Sequence, residues 1–134
     1  MKIEELLINS VNRLENTGIP TARLDCLVLL EEVIGKDRSF LLAHPEFTVN
    51  KAVVGKLDEY IKRRIKQEPL AYIRGKTEFY GRTFLVDKRV LEPRPESETM
   101  IDLLKTLKLP HTPHITDVGT GSGALAITAA LEIP

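Results

Sequence analysis

His114-Ile115-Thr116-Asp117-Val118-Gly119-Thr120-Gly121-Ser122-Gly123-Ala124-Leu125-Ala126-Ile127 decides how the rest of this 134-residue chain is read. The residues before Gly119 predict a β-strand, the alternating glycines a tight loop, and the apolar run from Ala124 the first turns of a helix. Glycines at alternate positions let the backbone come close to a ligand, and the helix N-terminus behind them offers N–H groups to a polar or anionic guest. A nucleotide-like cofactor suits such a loop. A pocket of this type is normally completed by several further strands, so only its opening part is expected here, and the chain reads as the front part of an enzyme.

The loop admits two nucleotide readings. Gly119, Gly121 and Ala124 satisfy the G-x-G-x-x-G/A spacing of a dinucleotide site, whose ribose-binding acid about 20 residues later would fall beyond Pro134. Asp117 lies two residues before the first glycine, at the carboxyl end of the expected strand, where the crevice of an open α/β sheet lies. A carboxylate there needs a polar partner to offset its desolvation, and the cationic amino group of S-adenosylmethionine supplies one. The Asp-x-Gly-x-Gly-x-Gly order therefore favours S-adenosylmethionine over NAD. A purely structural glycine turn is the plainer alternative. No Gly-Lys-Ser/Thr follows, which excludes a P-loop.

Composition narrows the class. Apolar residues make up 43% and charged residues 28%, the balance of a globular protein, and no run is long enough to span a bilayer. The start, Met1-Lys2-Ile3-Glu4-Glu5, turns acidic where a signal peptide requires an apolar stretch. The single Cys26 rules out an internal disulfide, so a cytoplasmic protein is expected. With 19 basic and 19 acidic residues the formal charge is zero, and direct nucleic-acid binding is not expected.

The first half reads as helices. Ile3, Leu6, Leu7, Val11 and Leu14 recur at helical spacing until Gly18-Ile19-Pro20. Thr21 is the expected N-cap of a second helix carrying Leu24, Leu27, Val28, Leu30 and Ile34 and stopping at Gly35. Asp37 caps a short third helix through Phe40, Leu41 and Leu42, broken before Pro45. Asn50 opens a fourth, with Val53, Val54, Leu57, Tyr60, Ile61 and Ile65 on one stripe. Short connections between such helices predict a small bundle. The period then changes: residues 77–81 and 82–86 are rich in aromatic and β-branched types around Gly81, which predicts a β-hairpin between two domains. Pro93-Arg94-Pro95 punctuates the chain before a helix with Glu96 and Glu98 in its first turn and Met100, Ile101, Leu104 and Leu107 on its apolar face.

Four segments together carry a resemblance: Glu68-Pro69-Leu70-Ala71-Tyr72-Ile73-Arg74-Gly75, Glu78-Phe79-Tyr80-Gly81, Leu91-Glu92-Pro93-Arg94-Pro95-Glu96-Ser97-Glu98, and Asp117-Val118-Gly119-Thr120-Gly121-Ser122-Gly123. In this order they resemble the HemK/PrmC family, the release factor glutamine methyltransferases. The resemblance implies a methyl transfer from S-adenosylmethionine to the side-chain amide of a glutamine, within a Gly-Gly-Gln tripeptide, in a peptide chain release factor. It implies a helical substrate-recognition bundle over residues 1–74, a β-hairpin linker over 75–94, and the start of a Rossmann-like class I methyltransferase domain over 95–134. The cofactor would be held at Asp117, Gly119, Thr120, Gly121, Ser122 and Gly123, with Arg94, Pro95 and Glu96 near the pocket. The family's Asn-Pro-Pro-Tyr loop is absent from these residues, so no catalytic residue is assigned, and the chain alone is expected to be inactive. Two positions depart from the family pattern: Ser97 stands where threonine is usual, and Glu92 where an apolar residue is usual. Another methyltransferase substrate, or a non-catalytic binding module formed by the bundle, are the alternatives.

Simpler roles stand beside several of these residues. Proline at a first helical position and acids in the first turn start a helix, which by itself explains Pro95 and Glu96. Lys62, Arg63, Arg64 and Lys66 lie where the helix dipole favours cations, so a solvated helix end is expected, with release-factor contact as the sharper alternative. His111 and His114 are separated by Pro113 and do not share a helix face, so no metal site is expected. Cys26, among Leu24, Leu27 and Val28, is expected to pack in a core. Without further strands beside it, the segment 114–134 is expected to be poorly ordered, rearranged or paired with a second copy.

Overall fold

A computed structural model of the chain describes residues 1–133 and divides into two compact units, Met1–Arg74 and the stretch from Gly75 onward. The described residues are mainly helical, with one two-stranded antiparallel sheet.

The first unit holds α1 (Ile3–Glu15), α2 (Ala22–Ile34), α3 (Arg38–Ala43), α4 (Lys51–Ile65) and α5 (Leu70–Arg74). Local chemistry sets their ends. The Asp37 carboxylate accepts the Phe40 N–H at 2.8 Å and the Asn50 side-chain oxygen accepts the Val53 N–H at 3.0 Å, opening α3 and α4. Gly35 closes α2 at φ +70°, with its N–H bonded to Glu31 O. Thr21 occupies the N-cap position of α2, but its hydroxyl makes no capping bond. The first N–H groups of α1 are met by the loop after α3: Ile3 donates to Phe47 O and Glu4 to Pro45 O, each at 3.0 Å.

α2 packs against α1, α3, α4 and α5 and is buried on more than one face. Its burial corrects the sequence reading, since Leu24, expected inside, is half exposed while Asp25 and Leu29 are buried. Cys26 lies in the core as expected, and burial pushes its thiol pKa up to about 12. Asp25 is tolerated there because Arg64 Nε donates to its Oδ2 at 2.7 Å.

The basic end of α4 is a second correction. Arg63 forks onto the Glu68 carboxylate at 2.6 and 2.9 Å and donates to the carbonyls of Tyr72 and Ile73, so it closes the last turn of α5. Arg64 reaches Asp25 and the Glu68 carbonyl. Of that run, Lys62 and Lys66 remain on the surface as expected, Lys62 paired with Asp58.

The second unit opens with β1 (Lys76–Phe79) and β2 (Arg82–Leu85), paired from Lys76↔Leu85 to Phe79↔Arg82. Tyr80 and Gly81, at φ +50° and +71°, form a two-residue turn whose twist matches the strands. A 3-10 turn (Pro95–Ser97) leads into α6 (Glu98–Thr106), and α7 (Ala124–Glu132) packs on α6. Phe79 and Phe84 meet edge to face at a centroid distance of 6.3 Å and form a core with Ile101, Ala124 and Ala129. The hairpin expected as a linker thus contributes its aromatic face to this core.

Polar contacts fasten the turn to both helices. The Tyr80 N–H donates to Glu98 at 2.6 Å, its hydroxyl to Asp102 at 2.7 Å, and Arg82 and Lys105 both reach Glu132. Two expectations are corrected in this unit. Met100 and Leu107 are more than half exposed, because Ile101 and Leu104 alone turn the α6 stripe inward and Leu107 lies past the helix end. Residues 114–118 form no strand, since a ladder requires a neighbour and among the described residues only β1 and β2 pair as strands. Loss of order, one outcome expected for residues 114–134, does not describe α7, which is formed.

Candidate cofactor site

The glycine loop turns on backbone conformations that side chains disfavour: φ is +79° at Gly119, +57° at Gly121 and +79° at Gly123. Gly123 is also confined, since a Cβ there would stand 3.1 Å from Ile127 Cδ1. A Cβ on Gly121 would lie 3.9 Å from Gly119 O and 4.0 Å from Leu91 O, which places the Leu91 carbonyl against the loop. The Gly123 N–H bonds to Thr120 O at 2.9 Å, closing the loop on itself just before α7.

A cavity of about 160 Å³ opens between this loop and the segment before α6. Gly119, Thr120, Gly121 and Ser122 form one wall, with Ala124 and Leu125 of α7 beside them; Leu91, Glu92, Pro93, Arg94 and Ser97 form the other. Of the residues proposed from sequence, the structure therefore brings Arg94 together with residues 119–122. Pro95 and Glu96 are exposed and do not line it; Pro95 opens the 3-10 turn and Glu96 follows it. Gly123 and Asp117 do not line it. The Asp117 Oδ2 is nonetheless buried and accepts no hydrogen bond from any described residue. A buried carboxylate oxygen without a donor calls for a cationic or hydrogen-bonding partner.

Sequence reasoning missed Leu91, Glu92, Pro93 and Ser97 as lining residues. Their signal was weak, except that Glu92 was already anomalous as an acid in an apolar position. Its carboxylate accepts a hydrogen bond from the Thr77 hydroxyl of β1 at 3.0 Å. A larger depression, about 380 Å³, lies by the ends of α6 and α7 and contains Lys105, His111 and Glu132. Lys105 and Glu132 are already paired there, at 3.2 Å, so the depression offers a ligand less than the glycine loop does. Among the described residues no helix is long and apolar enough to cross a membrane.

Comparison with known proteins agrees with the four sequence segments. Residues 5–75 match the PrmC N-terminal domain. The whole chain aligns at 42% identity with a release factor glutamine methyltransferase of Coxiella burnetii, covering 48% of it. It aligns at 37% identity with one of Aliivibrio fischeri, covering 47% of it. A bifunctional methyltransferase of Rickettsia bellii is 31% identical over 98% of the chain, which covers 29% of that protein. The chain spans about half the length, or less, of these curated relatives. The ordered motifs and the domain match together place this chain in the HemK/PrmC family.

Proposed function

We propose that this chain is the front part of a cytoplasmic, S-adenosylmethionine-dependent methyltransferase that modifies the side-chain amide of the Gly-Gly-Gln glutamine of peptide chain release factors. Residues 1–74 would recognise the substrate protein, and the stretch from residue 95 would begin a Rossmann-like domain. The names of the similar proteins support the substrate. One observation carries the cofactor: the buried, unpartnered Asp117 Oδ2 beside a loop of three positive-φ glycines.

When bound, S-adenosylmethionine supplies a methyl group on a cationic sulfonium. Asp117 would accept hydrogen bonds from the amino group of the cofactor, and the glycine loop would let its backbone approach. Residues 91–94 and Ser97 would close the near side. An amide nitrogen is a weak nucleophile because its lone pair is delocalised, so orientation carries most of the catalysis. The chain's own cavity, about 160 Å³, is smaller than the ~300–1,000 Å³ of typical small-molecule sites. It supplies walls of a site and no catalytic loop, so the 134 residues alone do not turn over.

Methyl transfer from labelled S-adenosylmethionine to a purified release factor tests this, run with the 134-residue chain beside a longer protein that carries the remaining half. The short chain is expected to be at least ~100-fold slower. Turnover approaching that of the longer protein would overturn the placement of the chemistry. In calorimetric titration of the longer protein, Gly121→Val should weaken S-adenosylmethionine at least ~10-fold, because valine resists φ +57° and puts side-chain atoms where the ligand would approach. Unchanged affinity would remove the loop from the site.

A further inference from the structure

We propose that Glu92 is a positioning residue of the cofactor cavity: its carboxylate, bonded to the Thr77 hydroxyl, holds residues 91–94 in place opposite the glycine loop. The proposal rests on the reading of that cavity as the cofactor site. Thr77 is on β1, in register with Phe84 and only 9% exposed, so its hydroxyl cannot turn to solvent. It donates to Glu92 Oε1 at 3.0 Å across fifteen residues of chain. Residues 91–94 belong to no helix or strand. Among them the Leu91 side chain is 70% exposed, Pro93 has no N–H to donate, and the Arg94 carbonyl accepts the Ser97 N–H at 2.9 Å. Meanwhile the Leu91 carbonyl lies against Gly121, so any drift of this segment changes the cavity directly.

This assigns a purpose to the departure at position 92. An apolar residue there would leave the buried Thr77 hydroxyl without its acceptor, whereas a carboxylate makes a charge-assisted bond to it. The threonine and the glutamate are thus two halves of one brace between the hairpin and the cavity wall.

Amide hydrogen exchange on the 134-residue chain, without cofactor, tests the brace directly. Glu92→Leu and Thr77→Val should each speed exchange about tenfold at Ser97, whose N–H is bonded to Arg94 O at 2.9 Å, and the double variant should be no faster than Glu92→Leu, which already removes the bond that Thr77→Val removes. Glu92→Gln, which keeps an acceptor for the hydroxyl, should stay within about twofold of the parent. Protection in α6 and α7 shows whether each variant is folded. Unchanged exchange at Ser97 in a folded Thr77→Val chain would overturn the proposal, as would a Glu92→Gln chain as loosened as Glu92→Leu. Titration of the longer protein with S-adenosylmethionine separates the two ideas. If the brace is right, Glu92→Leu weakens binding about fivefold or more and Glu92→Gln restores it. A longer protein that takes no S-adenosylmethionine at all defeats the cofactor reading, while the exchange result still decides the brace.

Discussion

At Arg64 a guanidinium that is 16% exposed meets the Asp25 carboxylate, 4% exposed, at 2.7 Å. Neither charge is visible as a pair in the sequence, because 39 residues separate them and the local pattern shows only a basic helix end. By contrast, the caps at Asp37, Asn50 and Gly35 were legible, since each acts on a backbone group three or four residues away. Removing one partner of a buried pair strands the other without its hydrogen bonds. Arg64→Ala is therefore expected to destabilise the first unit by about 3 kcal/mol, measured by urea unfolding. A loss well under 1 kcal/mol would show that Asp25 finds water or another donor. The site residues divide in the same way. Gly119, Gly121 and Asp117 stand out because their chemistry is local. Glu92 and Ser97 show only as departures from a pattern, without a role, because a wall is made by segments distant in sequence that meet only in the fold.

Among the elements, the hairpin was legible from its aromatic and β-branched residues around Gly81, but its attachment was not. Glu132, at the end of α7, receives Arg82 from β2 and Lys105 from α6. These hydrogen bonds, from Arg82 first and then Lys105, hold its carboxyl below the ordinary value of 4.5. A depressed carboxylate pKa stabilises the fold fully above the unfolded value, and that contribution is lost as pH falls through the folded value. Acidification below pH 4.5 should accordingly loosen the last turn of α7, read as faster amide exchange there relative to α6. Glu132→Gln should already show the loosening at neutral pH and respond little to acid. An equal acid response in Glu132→Gln would assign the effect to other carboxylates. The missing strand at 114–118 teaches a different lesson. A helix satisfies its own backbone, so α7 forms from local sequence, whereas a strand depends on a neighbour that local sequence cannot supply.

On the scale of the whole chain, the two units differ in how completely they bury their apolar residues. The first closes the stripes of α1, α2 and α4 on one another around Leu14, Leu29, Leu30, Leu57 and Ile61. The second leaves Leu85 84% and Val118 92% exposed around a smaller core. Residues 1–74 are therefore expected to fold as an autonomous unit, with slower amide exchange in α2 and α4 than in α6 and α7. Comparable protection in both units would count against autonomy. Cys26 sits inside the better-closed unit as the chain's one sulfur nucleophile, fully buried and with its thiolate suppressed. Thiol–disulfide exchange requires the thiolate and access together, so a disulfide reagent in solution must wait for the bundle to open. The thiol is in effect an internal clock: its modification rate counts the openings of the helical bundle, in a chain where no second cysteine can blur the reading.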